Sequence, residues 1–187
     1  MIEPIELHTP LTGEACEKLR AGDAVLLSGT VLTGRDTAHR RLFEAIVRGD
    51  ELPVDLEGMV MFYAGPTPAR PGRVIGSVGP TTSGRMDAYT PALLERGLRG
   101  MIGKGKRSSE VKEAIVRYGA VYFAAMGGVA ALLSRSVVEA RVVAYEELGP
   151  EAIRMLKVER FPLFVINDCR GNDLYEDAVR NHQFSTF

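Results

Sequence analysis

Residues Gly100 to Ala124 read GMIGKGKRSSEVKEAIVRYGAVYFA. Gly100 to Gly103 is a short apolar run with strand character, and Ser109 to Tyr118 follows it as a helix. Ala120 to Ala124 is a second short apolar run, and Gly128 to Ser134 reads as another helix. Strands and helices alternating at this spacing imply an α/β fold with parallel pairing.

Working outward, the same order holds upstream. Residues 13–20 form a short helix behind Thr12, and Ala24 to Leu32 is an apolar strand. Asp36 to Gly49 is amphipathic: Ala38, Leu42, Phe43, Ile46 and Val47 share one face, and Gly49 is the stop. Gly58 to Ala64 and Arg73 to Val78 read as short strands joined through Gly65-Pro66-Thr67-Pro68, and Gly84 to Gly97 as a helix. Downstream the character changes. Val137 to Tyr145, Met155 to Val158 and Leu163 to Asn167 are strand-like, with turns at Glu147-Leu148-Gly149 and Asp168 to Asn172, and His182 to Phe187 is read as frayed. No repeat or linker divides residues 1–187, so the chain reads as one domain.

The composition is 45% hydrophobic and 25% charged with a net charge of −1, so no global field points to nucleic acid or an anionic membrane. The N-terminus lacks a secretory pattern, and the longest uncharged run, Gly119 to Ser134, is too short to span a bilayer. Cytoplasmic residence is expected. Two Cys, far apart, and three His at unrelated spacings give no zinc site on this chain. Nor can two thiolates hold an iron–sulfur cluster, which typically takes about four Cys or three plus a substrate.

Three segments carry more Gly, Thr and charge than packing needs. Ser28 to His39 runs from a strand end into a helix whose first turn holds Arg35 and Asp36. Arg35 can grip a carboxylate bidentately, or Thr33 or Asp36 merely caps the helix. Gly79 to Asp87 places Thr81, Thr82 and Ser83 between Pro80 and Gly84, with Arg85 one turn beyond Thr81. A hydroxyl beside a guanidinium suits a hydroxy-carboxylate, and an ordinary capped helix start is the plain alternative. Gly100 to Ser108 matches part of a P-loop, but Arg107 stands where Ser or Thr should hold magnesium, so a nucleotide reading is weak. Its Lys104 fits an anion site at a sheet edge, or a solvated basic loop. Gathered at one edge, Arg35, Arg85 and Lys104 would form a pocket for a dicarboxylate, with His39 either placed to orient Arg35 or a plain surface or helix-packing histidine.

These segments resemble the C-terminal domain of class I fumarases. The likeness lies in Thr33-Gly34-Arg35-Asp36-x-Ala38-His39, Gly79-Pro80-Thr81-Thr82-x-Gly84-Arg85-Met86-Asp87 and Gly103-Lys104-Gly105-x-Arg107-Ser108. Tyr63-Ala64-Gly65-Pro66, Ala125-Met126-Gly127-Gly128 and Phe161-Pro162 with Gly171-Asn172 fit the same pattern in order. The resemblance implies a swivelling β/β/α domain with a mixed sheet and flanking helices. It further implies the β subunit of a two-subunit fumarate hydratase interconverting fumarate and (S)-malate. Its 4Fe–4S cluster would be ligated by the partner α subunit, with no metal on this chain and no activity without that partner. A hetero-oligomer is expected, with a homodimer the alternative for the isolated chain. Carried over by motif, Arg35, Arg85 and Lys104 bind substrate and Thr81 is the catalytic proton acceptor. His39, Asp36, Thr82 and Asp87 are supporting residues, Thr82 as a cap. The L-tartrate dehydratase small subunit shares this architecture, but there a Cys near Gly34, a larger residue for Gly84 and Glu for Asp87 are expected. A non-catalytic anion-binding assembly module is the alternative from another class.

Overall fold

Successive side chains of a strand face opposite sides, and in this chain the two sides feed two different cores. In the computed structural model, which describes residues 3–125 and 130–183, β3 (Val60–Phe62) sends Val60 and Phe62 into one core and Met61 into the other. Strand β4 (Gly100–Gly103) divides Ile102 from Met101, and β5 (Val121–Ala124) divides Val121 and Phe123 from Tyr122. The first core lies between these strands and the long antiparallel strands, joined by Cys16 and Leu133 from two short helices. The second lies between the sheet and the remaining helices. The result is a mixed α/β sheet with flanking helices, as expected.

Strands β1 (Ile5–His8), β2 (Ala24–Thr33), β3, β4 and β5 run parallel in that order. Two antiparallel strands complete the sheet, β6 (Val137–Ala144) at its edge and β7 (Ile153–Asn167). β7 pairs with β5 and, on its other side, with β2, so β2–β3–β4–β5–β7 close into a ring. Helices α1 (Gly13–Lys18), α2 (Asp36–Arg48), α3 (Thr90–Glu95) and α4 (Ser109–Tyr118) precede α5 (Ala130–Leu133) and α6 (Leu174–Gln183). α2 and α4 bury Leu42 and Ile115 on the sheet and end at Gly49 and Gly119 in left-handed caps.

Several local expectations are corrected. Gly84 to Gly97 is two pieces, a 3-10 turn at Ser83–Met86 and then α3, because Pro91 in the first turn of α3 has no N–H to give to Asp87 O, so one continuous helix cannot run through it. Arg73 to Val78 forms no strand. It folds back as a loop in which Thr67 and Ser77 bond each other through N–H, carbonyl and hydroxyl. The two strands expected at Met155 to Val158 and Leu163 to Asn167 are one. The sheet absorbs the interruption as a bulge, where Arg160 takes φ 48° and its N–H donates to Ser28 Oγ, so Pro162 still pairs with Leu26. β1 and α6 were not foreseen. Met126 to Val129, which include most of the Ala125-to-Gly128 motif, and residues 184–187 lie outside the described residues. Among those described, no helix is long and apolar enough to cross a membrane.

Candidate active site

The carboxyl ends of β2, β3 and β4 stand side by side. Thr33 pairs with Phe62, and Phe62 with Ile102. Arg35 leaves β2 two residues later, Tyr63 to Gly65 leave β3, and Lys104 leaves β4. With neighbouring strands about 4.8 Å apart, Arg35 and Lys104 start from backbone positions roughly 10 Å apart. The segment before α3 crosses the same edge. Thr81 N–H donates to Tyr63 O (2.6 Å), Thr82 bridges Lys104 as a parallel partner, and Ser83 N–H donates to Lys104 O (2.9 Å). Lys104 N–H in turn donates to Ser83 Oγ (3.1 Å). A Cβ at Gly103 would run into that Ser83 hydroxyl, so glycine is what lets the two segments approach. All four principal candidates, Arg35, Thr81, Arg85 and Lys104, are therefore brought to one edge of the sheet.

Both arginines are anchored by carboxylates. Arg85 Nε lies 2.8 Å from Asp36 Oδ1, and Arg35 Nη2 lies 3.6 Å from Glu151 Oε1. Glu151 accepts from Thr37 N–H (3.1 Å), and its pKa is lowered first by the Thr37 side chain, against burial, with that N–H, Arg35 and Arg85 adding to the effect. The Arg35 side chain lies against Gly65, where an added Cβ would sit 2.8 Å from Nη1. Lys104 is exposed and has no ion-pair partner among the described residues. Thr81 is half-buried, and among the described residues its hydroxyl has no hydrogen-bond partner.

The His39 ring meets Arg35 at its backbone carbonyl and not at the guanidinium. It is fully buried, and Nδ1 lies 2.9 Å from Arg35 O. Burial pushes its pKa down to about 4, against the pull of that carbonyl, so the ring is neutral near pH 7 and Nδ1 carries the proton. His39 Nε2, Arg35 Nε and Asp36 Oδ2 are buried without partners among the described residues, which leaves hydrogen-bonding capacity at the first turn of α2. Neither Thr33 nor Asp36 caps that helix: Arg35 is the cap residue without a side-chain bond, and Thr33 Oγ1 accepts from Arg154 N–H. Thr82 is likewise not a side-chain cap; its part is the backbone bridge to Lys104.

Beneath this edge lies Arg107, which the sequence marks as the residue that breaks a P-loop match and as part of the third family-like segment, but with no role of its own. Its side chain is 0% exposed. Its Nε donates to Asp87 Oδ1 (2.8 Å), its Nη2 to Thr90 Oγ1 (2.9 Å), and it lies over the rings of Tyr63 and Tyr122 at 5.3 and 5.0 Å. Burial opposes its charge, but Tyr63 and Asp87 outweigh burial and leave its pKa above the ordinary arginine value. Asp87 also accepts from Ser108 N–H (2.7 Å). Glu151 and Ser83 were equally missed. Glu151 is far from Arg35 in sequence, and Ser83 differs from its hydroxylated neighbours only in where it points.

The family described as Fumarase C-terminus matches residues 2–178. This chain belongs to the fumarase C-terminal family. It is 43% identical over 155 residues to the anaerobic class I fumarate hydratase of Escherichia coli (strain K12), covering 82% of this chain and 28% of that protein. It is 38% identical over 160 residues to fumarate hydratase 2 of Leishmania major, covering 84% and 28%. It is also 39% identical over 174 residues to a chain of Methanocaldococcus jannaschii described as a candidate L(+)-tartrate dehydratase subunit beta, covering 90% and 89%. The chain thus spans little more than a quarter of the fumarate hydratases and nearly all of the tartrate dehydratase subunit. The named relatives are hydro-lyases.

The cysteines of this family member do not fit a 4Fe–4S cluster. Cys169 Sγ lies 3.6 Å from Cys16 O, at the end of the sheet where β2 begins and β7 finishes, opposite the candidate site. Burial, with Cys169 adding, pushes the Cys16 thiol up to about 12, and it is the thiolate that binds metal. Among the described residues no group of three or more His, Cys, Asp or Glu is placed to hold a metal ion.

Proposed function

We propose that this chain is the β subunit of a two-subunit class I fumarase, reversibly hydrating fumarate to (S)-malate together with an α subunit. The observation that carries this reading is the convergence of Arg35, Thr81, Arg85 and Lys104 on one sheet edge. The 4Fe–4S cluster is assigned to the α subunit, and the pair to the cytoplasm. Arg35 and Arg85 are the carboxylate grips. Each is already held by an acid, so binding fixes little further side-chain freedom. Lys104, a point charge on a flexible stem, completes the cationic rim. Thr81, as its alkoxide, takes the proton from C3 of malate in dehydration and returns it in hydration, while the hydroxyl leaving C2 is protonated to water by a general acid on the α subunit. An unassisted Thr hydroxyl is a poor base, so Arg85 or Lys104 must stabilise the alkoxide.

The coverage of the tartrate dehydratase subunit favours a second reading, with tartrate as substrate. Against it stand Gly34, Gly84 and Asp87. At Gly34 an added Cβ would sit 2.9 Å from Met61 Sδ and 3.3 Å from His39 Cε1, so a larger residue there requires rearrangement. The deciding experiment is anaerobic co-expression with the α subunit and assay on fumarate, (S)-malate and both tartrate enantiomers. Fumarate hydration by the pair and none by the isolated, colourless chain is expected. Turnover of tartrate alone selects the second reading. Tight dicarboxylate binding by the isolated chain without turnover by the pair would make it a non-catalytic anion-binding module.

A further inference from the structure

The side chains around Arg107 are each one step from a residue of the candidate site. Tyr63, whose ring lies under the guanidinium, gives its carbonyl to Thr81 N–H. Tyr122, on which the guanidinium also lies, shares a 2.9 Å hydrogen bond with Ser83 Oγ and donates to Gly105 O (2.8 Å), so it clamps the turn that carries Lys104 from both sides. Asp87 joins Arg107 to Ser108 N–H, which fixes where that turn enters α4. Thr90 Oγ1 accepts from Arg107 and donates to Met86 O, which ties the guanidinium to the turn bearing Arg85. His39, edge-on to Tyr63 at 5.0 Å, is kept neutral by burial with the Arg107 charge adding to it.

We infer that Arg107 is a positioning residue for the anion site, a buried hub that sets the places of Thr81 and Lys104 without touching substrate. The inference rests on the hydro-lyase reading above and adds a residue to it. A guanidinium suits this task where an ammonium does not. It is planar, so it lies flat on two rings, and its fork addresses Asp87 and Thr90 at once. Small displacements of catalytic groups cost large factors in rate, so loosening the hub reaches the chemistry even though Arg107 lies beneath it.

The test compares Arg107→Lys, Asp87→Asn and Tyr122→Phe with Arg99→Lys, a part-buried arginine bonded instead to Tyr118 O. Steady-state kinetics of the reconstituted pair are read beside amide ¹H–¹⁵N spectra of the isolated full chain. Tyr122→Phe, which keeps the ring and loses only the hydroxyl, folds normally and raises KM about tenfold through Lys104, with kcat less affected. Arg107→Lys lowers kcat and raises KM together. In the hub variants the amides of Thr81, Ser83, Lys104 and Gly105 shift while those of β6 do not. Arg99→Lys changes neither readout. Wild-type kcat/KM and unshifted amides in Tyr122→Phe and Arg107→Lys overturn the inference. So does an activity loss that tracks melting temperature equally in all four variants. Should the wild-type pair turn over none of the hydroxy acids tested, the hydro-lyase reading falls, and the amide shifts alone decide the positioning role.

Discussion

Two arginine–aspartate pairs in this chain have the same Nε···Oδ1 separation, 2.8 Å, and opposite surroundings. Arg107 and Asp87 are 0% and 13% exposed, while Arg85 and Asp36 are 51% and 29% exposed. Distance alone therefore says nothing about what either pair does. In the buried pair neither charge has an alternative partner in water, so the pair is rigid and its loss leaves an orphan. In the open pair water competes with the carboxylate. In the proposed site, Asp36 would hold the guanidinium weakly enough for an incoming carboxylate to share it. One pair is framework, and the other is open to exchange of partners.

The largest effect should come from breaking the framework. Arg107→Met strands Asp87 and Thr90 in the interior and should cost about 3–5 kcal/mol of stability. Replacing Asp87 as well should recover part of that loss, as urea denaturation of single and double variants will show. If Arg107→Met cost no more than Arg85→Met, the distinction between the pairs would collapse.

Breaking the open pair should divide the other way. Arg85→Ala should cost under about 1 kcal/mol of stability but about 2–4 kcal/mol of transition-state binding, roughly 30- to 1,000-fold in kcat/KM. Arg35→Ala and Lys104→Ala should behave alike. Near-normal kcat/KM in all three, in an assembled pair, would remove the proposed pocket. Thr81→Val should lower kcat by at least about 100-fold with normal folding, while Thr81→Ser keeps much more activity. Deuterium exchange at C3 of malate reports the step directly.

His39 makes the comparison depend on pH. Its folded pKa is lowered from 6.5 to about 4, so the unfolded chain binds a proton that the native chain refuses between those values. Its contribution is therefore fully present above about pH 6.5 and is lost as pH falls toward 4, by roughly 1–3 kcal/mol. His39→Gln should flatten the slope of stability between pH 5 and 6.5; an unchanged slope would mean that burial of His39 does not control it. The smallest effect belongs to Thr82. With no cap bond from its hydroxyl, Thr82→Val should stay within about 0.5 kcal/mol and leave kcat intact.

The sequence was informative where one segment carries its own signal. Gly100 to Ala124 names two strands and a helix through length and apolar pattern, and the three site segments stand out because Gly, Thr and charge follow strand ends. It was silent where meaning depends on distant partners. Arg107 stands in a motif of the sequence beside Lys104, but only the approach of Asp87, Tyr63 and Tyr122 makes it an interior residue. Thr82 and Ser83 are equally plausible hydroxyls until β4 exits beside both and Lys104 N–H donates to Ser83 Oγ. Pro162 reads as a strand breaker because the bulge that accommodates it is created by β2, which lies far upstream in the chain.

The ring closed by β7 also orders events in time. β2 is made early, yet its antiparallel partner is the last strand among the described residues, and β5 waits for the same segment. At roughly 5–20 residues per second of synthesis, β2 stays without that partner on the order of ten seconds. During that interval Val25, Leu27 and Val31, all destined for the interior, flank an unpaired edge. Closure is then a long-range event with a high loop entropy, typical of slow-folding topologies. The strand that closes the ring is thus also the one whose late synthesis leaves the β2 edge open until Asn167 has emerged.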